Sequence, residues 1–210
     1  MKTNYQLLME NELQALAQAG KTPRLLLHVC CAPCSSACLD TLCSAFFVTC
    51  YYDNPNISPR EEFERRAAEL TRLTEEMPLT RKPAVEIGAY EPERFEAIAE
   101  GIHDAPEGGE RCLKCYRLRL QDTAQKAALE GYDYFATTLT LSPLKNAEKL
   151  NQIGAELSAL YGVRYLYSDF KKKDGYLRSI RLSEEYGLYR QDFCGCEYSK
   201  RQREGRKAHE

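Results

Sequence analysis

The chain has 210 residues, a formal net charge of −2 and 43% hydrophobic residues, which exclude a disordered chain and a general binder of polyanions. No apolar run approaches the ~18 residues of a membrane span, and the mixed polar and apolar segment 1–20 lacks the layout of a signal peptide. We therefore expect one main domain in the cytoplasm, with no membrane partner.

Strand-like and helix-like segments alternate along the chain. Short β-prone segments predict strands at about 25–29, 46–52, 84–90, 134–140 and 164–170. Helical periodicity and helix end signals predict helices at about 58–77, 92–102, 116–129, 146–161 and 176–186. This alternation is typical of βαβ units and predicts an α/β, Rossmann-like fold, with a mostly parallel sheet and flanking helices.

The two ends of the chain lie outside this alternating pattern. We predict an N-terminal helical extension at 1–24, a single α/β metal-binding catalytic domain at 25–199 and a basic C-terminal tail at 200–210. Within the domain, one helix start is specified closely. Ser58 is expected to cap that helix, Pro59 to occupy its first turn and Glu61 to complete a capping box.

Ligands of a doubly wound sheet bind at the carboxyl ends of its strands. Four segments follow predicted strands, namely Cys30-Cys31, Asn54–Asn56, Thr138–Lys145 and Asp169–Lys173. We expect all four to meet at one edge of the sheet and to build the active site there.

Seven of the ten cysteines form three tight groups. The groups are Cys30-Cys31-Ala32-Pro33-Cys34, Cys112-x-x-Cys115 and Cys194-Gly195-Cys196. Clustered cysteines in a reducing compartment more often bind metal than form disulfides, and thiolates prefer zinc or iron–sulfur clusters. We expect the seven to be metal ligands, whereas Cys38, Cys43 and Cys50 are expected to be buried, inert thiols.

The number of thiols leaves several kinds of site open. Cys31-x-x-Cys34 with Cys112-x-x-Cys115 would satisfy one tetrahedral zinc ion, although seven thiols could also hold a four-iron cluster beside a second ion. Thiol–disulfide exchange at Cys31-x-x-Cys34 is a further alternative. Because adjacent residues point in different directions, the Cys30-Cys31 pair favours two different metal partners over one.

Acid–base and basic side chains lie near these segments. Tyr116, Asp192 and His28 are candidate proton donors, although His28 in an apolar strand is more typical of a hydrogen-bonded core histidine. The segment 164–207 contains 12 Lys and Arg against 7 Asp and Glu, which indicates either a solvated face or a nucleic-acid contact. The candidate phosphate contacts there are Lys171, Lys172, Arg178 and Arg181.

Six motifs taken together are more specific than any one of them. In chain order they are Leu27-His28-Val29-Cys30-Cys31-Ala32-Pro33-Cys34-Ser35, Tyr52-Asp53-Asn54-Pro55-Asn56-Ile57, Glu110-Arg111-Cys112-Leu113-Lys114-Cys115-Tyr116-x-x-Arg119, Thr138-Leu139-Thr140-Leu141-Ser142-Pro143-x-Lys145, Asp169-Phe170-Lys171-Lys172 and Tyr189-Arg190-Gln191-Asp192-Phe193-Cys194-Gly195-Cys196-x-Tyr198-Ser199. From about Leu25 to Ser199 this set closely resembles the QueH family, the cobalamin-independent epoxyqueuosine reductases. Two departures are Asp53, where the family carries tyrosine, and Ser58, where histidine is common.

The resemblance implies a fold of the HUP/ATP-pyrophosphatase-like type and the last step of queuosine biosynthesis, in which epoxyqueuosine at the wobble position of tRNA loses its epoxide oxygen. It implies a 4Fe-4S cluster beside a mononuclear iron, and an external one-electron donor. The implied cluster ligands are Cys30, Cys31, Cys112, Cys115, Cys194 and Cys196, with Cys34 added to the metal site as a whole.

Two other functions remain open from the residues alone. One is a zinc-stabilised RNA-binding module without catalysis, and the other is an iron–sulfur tRNA thiolase of the ATP-pyrophosphatase type. The turn after the first strand lies where those enzymes carry a glycine-rich Ser-Gly-Gly-x-Asp-Ser loop. Its glycines and aspartate are missing here, which argues against nucleotide activation.

Overall fold

The computed structural model describes residues 3–207, with side chains through residue 205. Five strands form one sheet: β1 (Arg24–His28), β2 (Phe47–Tyr52), β3 (Ala84–Ile87), β4 (Tyr134–Thr137) and β5 (Arg164–Tyr165). The α-helices of the described residues are α1 (Tyr5–Gln18), α2 (Ala32–Leu42), α3 (Arg60–Glu76), α4 (Pro92–Ala99), α5 (Glu110–Leu129), α6 (Ala147–Tyr161), α7 (Gly175–Glu185) and α8 (Glu197–Lys207). A short 3₁₀ helix, Thr138–Leu141, follows β4 directly.

The five strands are all parallel, in the order β3-β2-β1-β4-β5. The chain moves outward from β1 to β3 and then crosses back to β4, so the direction of winding reverses between β1 and β4. In such sheets this reversal opens a crevice at the carboxyl ends of the two central strands, where ligands bind. The predicted α/β, Rossmann-like fold is confirmed.

The central strand β1 is buried on both faces, as parallel strands covered by helices require. Leu25 and Leu27 pack with residues of α2 and α3, whereas Leu26 packs with residues of α5 and α6. This alternation follows from the two-residue period of a strand, which sends successive side chains to opposite layers. The thiol-bearing turn after β1 therefore starts from a strand at the centre of the sheet whose residues 25–28 are fully buried.

The capping box predicted at Ser58 is wrong. Helix α3 begins at Arg60 with Pro59 at the N-cap position, and no side chain caps it. Helix α5 also begins six residues before the predicted start, at Glu110, so that Cys112 and Cys115 belong to its first turns.

The last predicted strand is shorter than expected and pairs only over Arg164–Tyr165. Further along, the backbone is held by the side chain of Asn151 instead of a neighbouring strand. Asn151 accepts a hydrogen bond from the Ser168 N–H at 3.0 Å and donates one to the Ser168 carbonyl at 2.8 Å. The Asn151 amide thus satisfies the N–H and the carbonyl of Ser168, which in a strand would bond to a neighbouring strand.

Helices occur at both ends of the described chain. In α1, Met9 and Leu16 are buried, and Met9 belongs to the core on the α2 side of the sheet. Helix α8 covers most of the expected tail, while residues 1–2 and 208–210 of the expected extension and tail lie outside the described residues. No helix among residues 3–207 has the length and apolar character needed to cross a membrane.

Candidate active site

The first thiol group lies at the carboxyl end of β1. The Sγ atoms of Cys30, Cys31 and Cys34 all lie within 4.8 Å of one another, and those of Cys30 and Cys31 are 3.7 Å apart. Pro33 in the first turn of α2 starts the helix directly after the pair, so that Cys34 turns back toward it. The adjacent thiols were expected to diverge, but here they converge into one group that can hold a metal ion.

The second thiol group is built by α5 and the segment before α8. Cys112, Cys115 and Tyr116 share one face of α5, because residues three and four apart are neighbours on a helix. Cys112, Cys115, Cys194 and Cys196 line a cavity of about 20 Å³ together. The Sγ atoms of Cys194 and Cys196 lie 3.6 Å apart.

Gly195 has a backbone conformation that favours glycine, with φ at +113°. A Cβ there would lie 2.8 Å from Ile57 Cγ1 and 3.1 Å from Arg66 Nη1. The Gly195 carbonyl also accepts a hydrogen bond from the Ser58 N–H at 3.0 Å. The Cys-Gly-Cys motif is therefore needed to bring its two thiols against the loop after β2.

A larger cavity of about 330 Å³ adjoins the small one. The two share Glu107, Leu144, Lys145 and Cys194 in their walls, and Cys30 and Cys34 line the larger one. Its other walls include Tyr176, Arg190, Gln191, Asp192, Phe193, Gln202 and Arg203. Thiols of both groups thus face a space of the size that proteins use for small ligands.

A buried arginine links the loops of the site. Arg119, only 3% exposed, donates to His28 Nε2 at 3.2 Å and to Asn54 Oδ1, and its Nη1 lies 4.0 Å from Cys115 Sγ. Asn54 Nδ2 in turn donates to the Val29 carbonyl at 2.9 Å. This network ties α5 to the turns after β1 and β2.

His28 lies behind this network and lines neither cavity. Because Arg119 donates to Nε2, the ring proton belongs on Nδ1, which lies 3.0 Å from Thr137 Oγ1. Burial, together with the charge of Arg119, lowers the pKa of His28 to about 3. The ring is therefore neutral and holds its neighbours in place.

One thiol in each group has a lowered pKa. Contact with the thiols of Cys31 and Cys34, and the charge of Arg119, hold the pKa of Cys30 well below its usual range. Contact with Cys196 and the charge of Lys145 do the same for Cys194. Since a metal ion binds the thiolate form, each group has one sulfur prepared for coordination.

Unpartnered polar groups lie beside the thiols of the small cavity. Asn56 is 2% exposed, and neither its amide nitrogen nor its amide oxygen has a hydrogen-bond partner among the described residues. Arg111, 1% exposed, likewise has Nε and Nη2 without partners in that part of the chain. Buried polar groups are rarely left unpaired, so this cavity fits a polar or anionic guest better than an apolar one.

The predicted proton donors lie in different places. Tyr116 lines the small cavity, and its hydroxyl has no hydrogen bond to any described residue. Asp192 lines the larger cavity, where Arg203 Nε lies 2.9 Å from its carboxylate. Of the three residues, only Tyr116 lines the small cavity that the second thiol group shares.

The predicted phosphate contacts do not line either cavity. Lys171 is paired with Asp169, and Arg178 is paired with Asp40. Lys172 and Arg181 are exposed and make no ion pair with the part of the chain from 3 to 205. Of the four predicted phosphate contacts, Lys172 and Arg181 therefore have a positive charge available to a nucleic acid.

Arg66, Arg119 and Lys145 were not predicted as site residues, although Arg119 and Lys145 belong to two of the six sequence motifs. Arg66 donates to the Cys194 carbonyl at 3.2 Å and pairs with Glu62, and it lines the larger cavity. In the sequence, an arginine of an amphipathic helix that is buried looks the same as one that is exposed. Only the fold therefore reveals that Arg66 and Arg119 are buried.

The chain was compared with known proteins. The family model of epoxyqueuosine reductase QueH matches residues 25–202. The chain belongs to the epoxyqueuosine reductase QueH family. A QueH from Streptococcus pyogenes serotype M1 is 40% identical over 200 residues, which cover 94% of this chain and 78% of that protein.

Other QueH proteins resemble the chain over similar lengths. The one from Staphylococcus epidermidis is 39% identical over 94% of this chain and 85% of its own length. The one from Thermotoga maritima is 35% identical over 83% of this chain and 89% of its own length. The family match spans all three thiol groups, the first residues of α8 and every residue that lines the two cavities except Arg203.

The three remaining cysteines give a matched test of the metal ligands. Cys38, Cys43 and Cys50 are buried in the core on the α2 side of the sheet, as expected. We expect Cys43→Ala and Cys50→Ala to keep the iron and sulfide content of the wild type after anaerobic purification, whereas Cys31→Ala and Cys115→Ala lose much of it. Elemental and sulfide analysis measures this. Equal iron retention in all four variants would contradict the assignment of the thiol groups.

Proposed function

We propose that this chain reduces epoxyqueuosine in tRNA to queuosine, using a 4Fe-4S cluster and an adjacent iron ion. The observation that carries this proposal is that thiols of both groups, Cys30, Cys34 and Cys194, line one ligand-sized cavity in a chain of the QueH family. Family members are named for this reaction. A tRNA substrate and cysteines without disulfide bonds support a cytoplasmic location for the proposed reaction.

The seven grouped cysteines would hold the metals, and the donor set fits them. Thiolates are the usual ligands of iron–sulfur clusters, and seven exceed what one tetrahedral ion needs. When bound, the cluster supplies electrons one at a time and the separate iron polarises an oxygen as a Lewis acid. Backbone N–H groups support two of the sulfurs, from Gly108 to Cys112 at 3.2 Å and from Ser199 to Cys196 at 3.3 Å.

The larger cavity is the proposed place of the modified nucleoside. Phe193 and Tyr176 give it aromatic walls against which a flat base can stack, while Gln191 and Arg190 offer polar contacts. Cys30, Cys34 and Cys194 lie in the same wall. A nucleoside bound there would present its cyclopentane epoxide to the thiol groups.

Removal of the epoxide oxygen as water consumes two electrons and two protons. An external one-electron donor supplies the electrons, and the protein must deliver protons inside a partly closed site. We assign Tyr116 Oη as a proton donor, because Tyr116 lines the small cavity beside the thiols of Cys112 and Cys115 and its hydroxyl has no competing hydrogen bond to a described residue. Asp192 is the second candidate, at the wall of the larger cavity. His28 keeps Arg119 in place.

The decisive test is anaerobic turnover of epoxyqueuosine-containing tRNA with a chemical reductant. We expect wild-type protein to form queuosine without ATP and Tyr116→Phe to lower kcat/KM by roughly 10²–10⁴-fold, the usual contribution of a positioned proton donor. Tyr165→Phe is the matched control, since Tyr165 Oη is also buried without a partner but lies on β5.

Each result of this turnover assay points to one reading. Iron content measured beside the turnover separates loss of cofactor from loss of a proton donor. A strict requirement for ATP would favour the thiolase. Absence of turnover by protein that is purified without exposure to air and contains zinc but no sulfide would favour the RNA-binding module. Equal activity of Tyr116→Phe and Tyr165→Phe would remove Tyr116 from the mechanism.

The exposed basic residues are proposed to contact tRNA phosphates. Lys172 and Arg181 have charge available, while Lys171 and Arg178 must exchange a carboxylate partner for phosphate. Because each phosphate contact releases counterions, the logarithm of affinity falls with the logarithm of salt concentration. The number of these four basic residues that contact phosphates therefore determines how steeply tRNA affinity falls with salt.

We expect Lys172→Gln and Arg181→Gln each to weaken tRNA binding and to reduce its salt slope by about 1. Lys171→Gln and Arg178→Gln should have smaller effects. Lys21→Gln is the control, since Lys21 precedes β1 at the opposite edge of the sheet. Binding isotherms at several salt concentrations measure this, and slopes equal to that of Lys21→Gln would place the tRNA elsewhere.

A further inference from the structure

The small cavity contains an imbalance of charge. Its walls include three cationic side chains, Arg111, Arg119 and Lys145, against one carboxylate, Glu107. Arg111 and Arg119 are 1% and 3% exposed, and the oxygen and nitrogen atoms that accept their hydrogen bonds are neutral: the His103 and Ala105 carbonyls for Arg111, and His28 and Asn54 for Arg119. The same walls contain the four thiols Cys112, Cys115, Cys194 and Cys196.

Buried cations without counter-charges are unfavourable. Moving an ion from water into a protein interior costs several kcal/mol unless an opposite charge and hydrogen bonds compensate. Elsewhere in this chain, buried cations follow that rule, as Arg66 does with Glu62 at 2.6 Å. Arg111 and Arg119 depart from it beside the thiols of the small cavity, and the half-buried Lys145 adds a third positive charge there.

Thiolates would supply the missing negative charge. Arg119 Nη1 lies 4.0 Å from Cys115 Sγ, within the range of a hydrogen bond to sulfur. The charge of Lys145 acts on Cys30 and Cys194, one sulfur from each thiol group. Positive charge beside an iron–sulfur cluster favours its reduced form, because reduction adds negative charge.

We propose that Arg119, supported by Arg111 and Lys145, is the permanent counter-charge of the thiolate-bound cofactor and raises its reduction potential. The inference rests on the proposed function, since it requires a redox-active cluster at these thiols. Arg119 acts here as a positioning and tuning residue: it contacts a ligand sulfur and does not touch the substrate.

The test is a reductive titration of the anaerobically purified holoprotein, followed by the absorbance and electron paramagnetic resonance signals of its cluster. We expect Arg119→Met to lower the midpoint potential by about 59 mV or more, which corresponds to a tenfold change in the one-electron equilibrium constant. Arg119→Lys keeps the charge and should retain most of the wild-type potential. Arg117→Met is the control on the same helix, since Arg117 is half-exposed and paired with Glu156.

A second variant removes charge without removing a hydrogen bond. Lys145 Nζ donates to no described residue, so Lys145→Met should leave the fold intact. This variant should also lower the midpoint potential. If Arg119→Met fails to fold, the potential of Lys145→Met tests the counter-charge role. Equal shifts in Arg119→Met and Arg119→Lys, or a wild-type potential in Lys145→Met, would overturn the counter-charge role. A wild-type protein with no redox-active cluster would overturn the proposed function as well.

Discussion

The burial of positive charge among thiols is the constraint on which the rest of the site depends. Arg119 holds the turns after β1 and β2 to helix α5 through His28, Asn54 and Cys115. A network that is centred on a buried cation gains stability when an anion completes it. The groups that align the loops therefore also create a place that favours negative charge, which the proposed thiolate-bound cofactor would supply.

The parallel sheet makes this arrangement possible. Reversal of the winding between β1 and β4 opens the crevice, and the carboxyl ends of the strands bring distant segments to it. Cys30 enters from the turn after β1, Cys115 from the first turns of α5 and Cys194 from the segment before α8. Cys30 and Cys194 lie more than 160 residues apart along the sequence, yet both line the larger cavity.

Much of the fold and the set of thiols could be predicted from the sequence. Alternating periodicities identified the α/β architecture, and spacing singled out seven cysteines, because both are local signals. Features that depend on tertiary contacts could not be predicted. The side chain of Asn151 pairs with the backbone of Ser168 where a longer last strand was expected, and the burial of Arg66 was hidden in an ordinary helical pattern. The close group of Cys30, Cys31 and Cys34 depends on the helix that starts at Pro33 and turns Cys34 back toward the adjacent pair.

The central claim is that the grouped thiols hold an iron–sulfur cluster and a separate iron ion. Mössbauer spectroscopy of protein enriched in ⁵⁷Fe and purified without exposure to air tests it most directly. The account predicts the signal of a four-iron cluster together with a distinct signal from iron outside it, and matching sulfide. Zinc without sulfide in such a preparation, or iron that gives a single mononuclear signal, would contradict the account.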